Sequence, residues 1–98
     1  MNKKYNCAII GYGYMGQIRL RTISQIPSLK IKIVCDPNKK IIPKSSNYII
    51  SDDYNDIFRE NIDIVFVCTP NNITPKIVIA CLKEKKHVFV KNLQDHPI

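Results

Sequence analysis

Residues 5–16 read YNCAIIGYGYMG, and this stretch decides the fold of the chain. Its first half is a short apolar run that stops at Gly11, which is typical of a buried strand. Beyond the last glycine, apolar residues recur at roughly helical spacing among polar ones as far as Ile26, and Pro27 follows. The stretch therefore predicts a buried strand, a glycine-rich turn and an amphipathic helix in immediate succession.

The glycines of this turn have the spacing Gly-x-Gly-x-x-Gly, and each has a physical task. Gly11 permits the tight turn, Gly13 lets the backbone approach a pyrophosphate, and Gly16 lets the helix pack closely on the strand. The strand before, the helix after and an acid 20 residues past Gly16 favour a dinucleotide site over a turn without a ligand. The predicted contacts of the turn with the cofactor are Gly11, Tyr12, Gly13, Tyr14, Met15 and Gly16.

The acid is Asp36, which follows a predicted second strand, Leu29–Cys35, and precedes Pro37. A carboxylate at this point can accept hydrogen bonds from both hydroxyls of an adenosine ribose and repels a 2′-phosphate. We therefore predict NAD as the cofactor, with NADP left open because Lys39 and Lys40 follow closely. The alternative is a turn-forming Asp-Pro pair without a ligand role.

The rest of the chain continues to alternate between strand and helix patterns. It predicts a third strand at 48–50, a helix after Ser51-Asp52-Asp53, a fourth strand at 62–68, and a fifth at 87–90. The last helix is predicted to begin at Pro75, capped by Thr74, with a buried stripe at Ile77, Val78, Cys81 and Leu82. This alternation predicts an α/β fold of the Rossmann type, a doubly wound parallel sheet of about five strands in the order 3-2-1-4-5.

Thr69, Pro70 and Asn71 follow the fourth strand, which would lie beside the first. Ligands of doubly wound sheets bind outside the carboxyl ends of the strands at this switch point. Asn71 is therefore a candidate for the nicotinamide-side ribose, although turn chemistry explains Pro and Asn equally well.

Composition excludes several other classes. The 98 residues suit one domain, here 1–98, and no apolar run is long enough to cross a membrane. The net charge of +7 comes from scattered lysines, so we expect no nucleic-acid partner. Four cysteines without Cys-x-x-Cys spacing predict reduced core thiols, no metal site and a cytoplasmic location.

These motifs, taken in order, resemble the N-terminal domain of the Gfo/Idh/MocA oxidoreductases. The resemblance covers essentially the whole chain and is carried by IGYGYMG at 10–16, VCDP at 34–37, SDDY at 51–54, IDIVFVCTPN at 62–71 and KHVFV at 86–90. It implies reversible hydride transfer between NAD(P) and a carbinol carbon of a sugar, a cyclitol or a related small molecule.

In that family the last strand runs into a Glu-Lys-Pro signature whose Lys approaches the reacting hydroxyl. Here the strand is followed by Lys91-Asn92-Leu93-Gln94. A gapless comparison places Lys91 at the Glu, whereas a one-residue deletion places it at the Lys. Lys91 is accordingly the candidate catalytic residue, with a solvated lysine as the alternative.

The family's substrate domain, which carries the acid/base pair, has no counterpart in these 98 residues. We therefore expect the chain to bind a dinucleotide, and to act on a small sugar-like substrate only together with the missing domain. Sheet surface that this domain would cover predicts a homo-oligomer or poor solubility. The competing classes are a non-catalytic nucleotide-sensing Rossmann module and, because Ile9 and Ile10 stand where an acid is expected, less favourably a methyltransferase.

Overall fold

Five parallel strands form one sheet in the order β3-β2-β1-β4-β5, as the alternation predicted. The structure is a computed structural model and describes residues 3–90. The strands are β1 Tyr5–Ile10, β2 Leu29–Cys35, β3 Ile49–Ser51, β4 Ile64–Val67 and β5 His87–Val90. The helices are α1 Tyr14–Ser24 and α2 Thr74–Lys83, with two 3-10 helices at Lys39–Ile41 and Tyr54–Arg59.

The sheet has a buried apolar cluster on each face, which is why the carboxyl-terminal halves of its central strands β1 and β2 are apolar. Ile23 of α1 packs over Cys7, Ile9 and Val34 on one face. On the other face, α2 and the second 3-10 helix cover alternate residues of the same strands; this cluster comprises Ala8, Ile10, Ile33, Cys35, Ile57, Ile62, Val65, Val67, Ile77 and Cys81. Helices on both faces make the sheet doubly wound and leave the carboxyl ends of the strands along one edge.

Element boundaries differ from the prediction by a few residues. Helix α1 ends at Ser24 rather than at Ile26, because the N–H groups of Gln25 and Ile26 donate to Thr22 and Ile23 in tighter three-residue turns. Strand β3 begins one residue later than predicted, and β4 is shorter at both ends.

Two predictions for the second half of the chain, the cap at Thr74 and the burial of Leu82, are wrong. Thr74 is the first residue of α2 rather than its cap, because its hydroxyl lies 3.0 Å from the carbonyl of Thr69 and 2.9 Å from that of Pro70. Leu82 was predicted to be buried and is 58% exposed. Helix α2 packs through Ile77 and Cys81, so Leu82, one residue further round the helix, turns away from the sheet.

All four cysteines are buried, as predicted, and Cys7, Cys35 and Cys81 belong to the two core clusters. Burial raises the pKa of the Cys7 and Cys81 thiols to about 11 and that of Cys35 to about 12. These thiols therefore remain neutral in the folded chain and behave as small apolar side chains.

Candidate functional site

Two of the three glycines are required by the chain's own backbone. Gly11 has φ +94°, and a Cβ at this position would lie 2.6 Å from the carbonyl oxygen of Cys68. A Cβ at Gly16 would overlap the carbonyl oxygen of Gly11. The turn between β1 and α1 can therefore close only with glycine at these two positions.

Gly13 is different, because a Cβ at this position would have no atom within 4 Å. The space in front of Gly13 is consequently open, and the protein itself does not require a glycine there. The first helical bond of α1 runs from the N–H of Gln17 to the carbonyl of Gly13 at 3.0 Å. Within residues 3–90, the amides of Tyr14, Met15 and Gly16 have no protein acceptor, so an open cradle lies in front of unpaired donors at a helix N-terminus.

The carboxylate of Asp36 is held in place at the carboxyl end of β2. Its Oδ2 accepts the N–H of Tyr12 at 2.7 Å, and its Oδ1 accepts the N–H of Asn38 at 2.8 Å. A carboxylate oxygen can accept two hydrogen bonds, so each oxygen keeps a free acceptor position. The half-buried carboxylate can thus bind a diol without first being oriented.

These parts meet in a cleft of about 450 Å³ outside the carboxyl ends of β1, β2 and β4. Its lining brings together three segments that are far apart in sequence: Gly11, Gly13, Tyr14, Met15, Asp36, Cys68 and Pro70. Cys68 was not among the predicted site residues. The available signal was its position at the switch point between β4 and the following loop.

Other predicted site residues lie outside the lining. The Tyr12 ring is 5% exposed and packs in the cluster under α1, so this residue can face the cleft only through its backbone. Gly16 packs against Gly11. The Thr69 hydroxyl is buried 2.7 Å from that of Thr74, whereas Asn71 is exposed. Lys91 lies outside the described residues.

Charge in the cleft suits a ligand with phosphates at one end and hydroxyls at the other. Helix α1 has no acidic residue in its first turn, so its N-terminus keeps its positive character. Asp36 is the single carboxylate in the lining. Among residues 3–90 there is no helix with the length and apolar character that a membrane crossing needs.

Comparison with known proteins agrees with this geometry. Residues 5–98 match the sequence profile of the GFO/IDH/MocA oxidoreductase family, described as an NAD-binding Rossmann fold. An uncharacterized oxidoreductase of Bacillus subtilis, YrbE, is 33% identical in an alignment of 94 positions that covers 91% of this chain and 28% of that protein.

Solved structures show the same architecture. The crystal structure of myo-inositol 2-dehydrogenase from Lactobacillus plantarum superimposes with a TM-score of 0.80 and 26% identity, over 90% of this chain and 28% of that one. The WlbA dehydrogenase from Bordetella pertussis, solved with NADH and UDP-GlcNAcA, gives a TM-score of 0.81 at 18% identity over 92% of this chain, a likeness of fold. The chain thus spans little more than a quarter of the length of these proteins.

Proposed function

The chain belongs to the Gfo/Idh/MocA oxidoreductase family as its NAD-binding Rossmann domain, and from this premise we propose that its cleft binds NAD(H) for hydride transfer to or from a carbinol carbon of a sugar or cyclitol. The observation that carries the proposal is the open cradle at Gly13 beside the fixed carboxylate of Asp36. A pyrophosphate and a ribose diol match these two features.

The residues divide the work between the two ends of the cofactor. The amides from Gly13 to Met15 hold the pyrophosphate, and Asp36 accepts the hydroxyls of the adenosine ribose. Gly11 and Gly16 give the turn its shape, and Tyr12 contributes its backbone. The loop of Thr69, Pro70 and Asn71 lies toward the nicotinamide end, where the bound cofactor supplies or accepts the hydride.

The preference for NAD over NADP follows from the same carboxylate. A 2′-phosphate would meet the negative charge of Asp36, which two backbone amides keep in the cleft. Lys39 and Lys40 are exposed in the 3-10 helix that follows β2, three and four residues after Asp36. Because their positive charges would attract a 2′-phosphate, NADP is the second candidate cofactor.

Catalysis requires more than the cleft of the described residues supplies. Hydride transfer needs an acid/base group held near the reacting carbon, at contacts of ~3–3.5 Å between reacting atoms. The only carboxylate lining the described cleft already binds two amides. We therefore propose that the chain by itself binds the cofactor without turnover, and that Lys91 approaches the substrate hydroxyl when a substrate domain is present. We also propose a reducing, cytoplasmic environment, which the buried thiols of Cys7, Cys35 and Cys81 favour.

Fluorescence titration with NADH tests this function. The chain has five tyrosines and no tryptophan, so tyrosine is the only energy donor to the bound cofactor. Energy transfer from tyrosine to bound NADH should saturate, and NADPH should bind more weakly. Incubation with NAD and a panel of inositols and sugars should produce no NADH. Tighter binding of NADPH would contradict the role of Asp36, turnover by the chain alone would contradict the second half of the proposal, and preferential binding of S-adenosylmethionine would point to a methyltransferase.

A further inference from the structure

The glycine turn is fastened to the end of β2 by two consecutive amides. The N–H of Gly11 donates to the carbonyl of Cys35 at 2.8 Å, and the N–H of Tyr12 donates to Asp36 Oδ2 at 2.7 Å. The first bond is between backbones and survives any change of side chain. The second depends on a single carboxylate, and that carboxylate is the one proposed to bind the ribose.

We propose that Asp36 is also a positioning residue for the phosphate-binding turn. By holding the amide of Tyr12 before any ligand arrives, it sets the direction in which Gly13 and the first amides of α1 point. This inference rests on the proposed function, since it concerns how the same cleft is prepared for the cofactor's pyrophosphate.

The geometry around Tyr12 supports this role. Its ring is fixed in the cluster under α1, and its amide is fixed by Asp36, so the residue before Gly13 is held at both ends. Without the carboxylate, the amide of a 5%-exposed residue loses its acceptor. A buried donor without a partner is costly, so the turn should shift to bring this amide to water. Gly13 has no side chain that could resist the shift.

The carboxylate itself is also restrained, because its second oxygen accepts the N–H of Asn38 at 2.8 Å. Rotating Asp36 away from the cleft would break both amide bonds. The two halves of the cofactor site are therefore mechanically linked, and the residue that reads the ribose also prepares the site for the phosphates.

Inorganic pyrophosphate separates the two roles, because it has no ribose. If Asp36 acted only on the ribose, D36A would remove a negative charge and bind pyrophosphate more tightly than the wild type. If Asp36 positions the turn, D36A should bind pyrophosphate more weakly than the wild type by about fivefold or more, even though a negative charge has been removed. The affinities are measured from the amide NMR shifts of residues 13–16.

The matched control is D52A, which removes the same charge from an exposed residue outside the cleft and should leave the affinity near that of the wild type. Hydrogen exchange gives a second readout. The Tyr12 amide should exchange slowly in the wild type and in D52A. In D36A its exchange rate should rise by about tenfold or more.

D36L covers the case in which D36A does not fold. Leucine nearly keeps the shape of the side chain and has no acceptor, so the N–H of Tyr12 loses its partner without a loss of volume. It too should bind pyrophosphate more weakly than the wild type. Unchanged or tighter pyrophosphate binding by the folded variant would overturn the inference. Failure of the wild type to bind NADH would instead count against the proposed function.

Discussion

At the scale of single residues, Gly13 and Gly16 lie three positions apart in one turn, and the structure needs them for different reasons. Gly16 touches the carbonyl of Gly11, whereas a Cβ at Gly13 would project into open space. The first constraint belongs to the fold. The second belongs to whatever occupies the cleft, which is why Gly13 is the better indicator of a ligand.

This difference predicts unequal effects of the two alanine substitutions on stability. G16A should lower the free energy of unfolding by about 1–3 kcal/mol, because backbone must move to admit the methyl group. G13A should change it by less than ~0.5 kcal/mol, since φ is −76° and the space is empty. Urea unfolding followed by circular dichroism gives both values. Equal destabilisation by the two variants would contradict the assignment.

The sequence was sufficient to predict a tight turn at Gly11 and close packing at Gly16, because the spacing of glycines between a strand and a helix determines both. It was not sufficient to show that the Tyr12 ring is buried, since the ring belongs to a cluster that includes Val34 and Ile42, more than 20 positions away. Cys68 was missed as a lining residue for a related reason. Its position at the switch point was the available signal, but an apolar residue at a strand end is explained equally well as part of the core.

At the scale of elements, the segment after Ser51-Asp52-Asp53 shows what capping signals predict well and what they do not. A helical start was expected and is present, with the N–H of Asn55 donating to Asp53 Oδ1 at 2.9 Å. The helix is of the 3-10 type and only six residues long. Short segments lack the repeated packing contacts that favour the α form, so their helix type is decided by tertiary context.

Asp53 therefore offers a test of this element. D53A should lower the free energy of unfolding by about 1 kcal/mol, as expected for the loss of an N-terminal cap. D52A is the matched control, because the carboxylate of Asp52 is next to Asp53 in sequence but makes no such bond in the described part of the chain. D52A should change the free energy of unfolding by less than ~0.5 kcal/mol. Thermal unfolding of the two variants decides the matter, and equal losses would rule out the capping role.

At the scale of the whole molecule, three of the buried thiols make the fold sensitive to alkaline pH. Burial raises the pKa of Cys7 and Cys81 from 9.0 to about 11, and that of Cys35 from 9.0 to about 12. In the unfolded chain these thiols ionise near pH 9, whereas in the folded chain they stay neutral to higher pH. Their contribution to stability is therefore complete below pH 9 and is lost as the pH rises toward 11–12.

We accordingly expect the urea midpoint to fall progressively above about pH 9, and C35A to show a shallower fall than the wild type. The measurement compares unfolding curves across that pH range. A midpoint that is independent of pH up to about 11 would show that the thiols are not protected by burial.

The order of the strands could be predicted from the chain because strand and helix patterns alternate, and right-handed crossovers leave few arrangements.

The exposed apolar surface on the edge strand β5 could not be predicted in this way. Phe89 on the edge strand β5 stacks on Phe66 with ring centroids 5.3 Å apart and remains 57% exposed. Since exposed apolar surface on an edge strand promotes association, we expect the chain to self-associate through β5, the edge strand of the described sheet.

F89K should reduce this association, because it places a charge on the exposed face of the edge strand. The control is L82K, which adds the same charge at an equally exposed apolar residue on α2. Sedimentation velocity at several concentrations distinguishes the outcomes. A wild-type chain that is monomeric at all of them would refute the expectation.

We propose that the dinucleotide's phosphates bind in the open space at Gly13. The most direct test of this binding site is the NADH affinity of the wild type and of G13A, measured by tyrosine-to-NADH energy transfer on folded samples. We predict saturable binding by the wild type and a loss of ~10-fold or more in G13A, equivalent to ~1.4 kcal/mol, with stability unchanged. Equal affinity for NADH in the two folded proteins, or no binding by the wild type, would contradict the account.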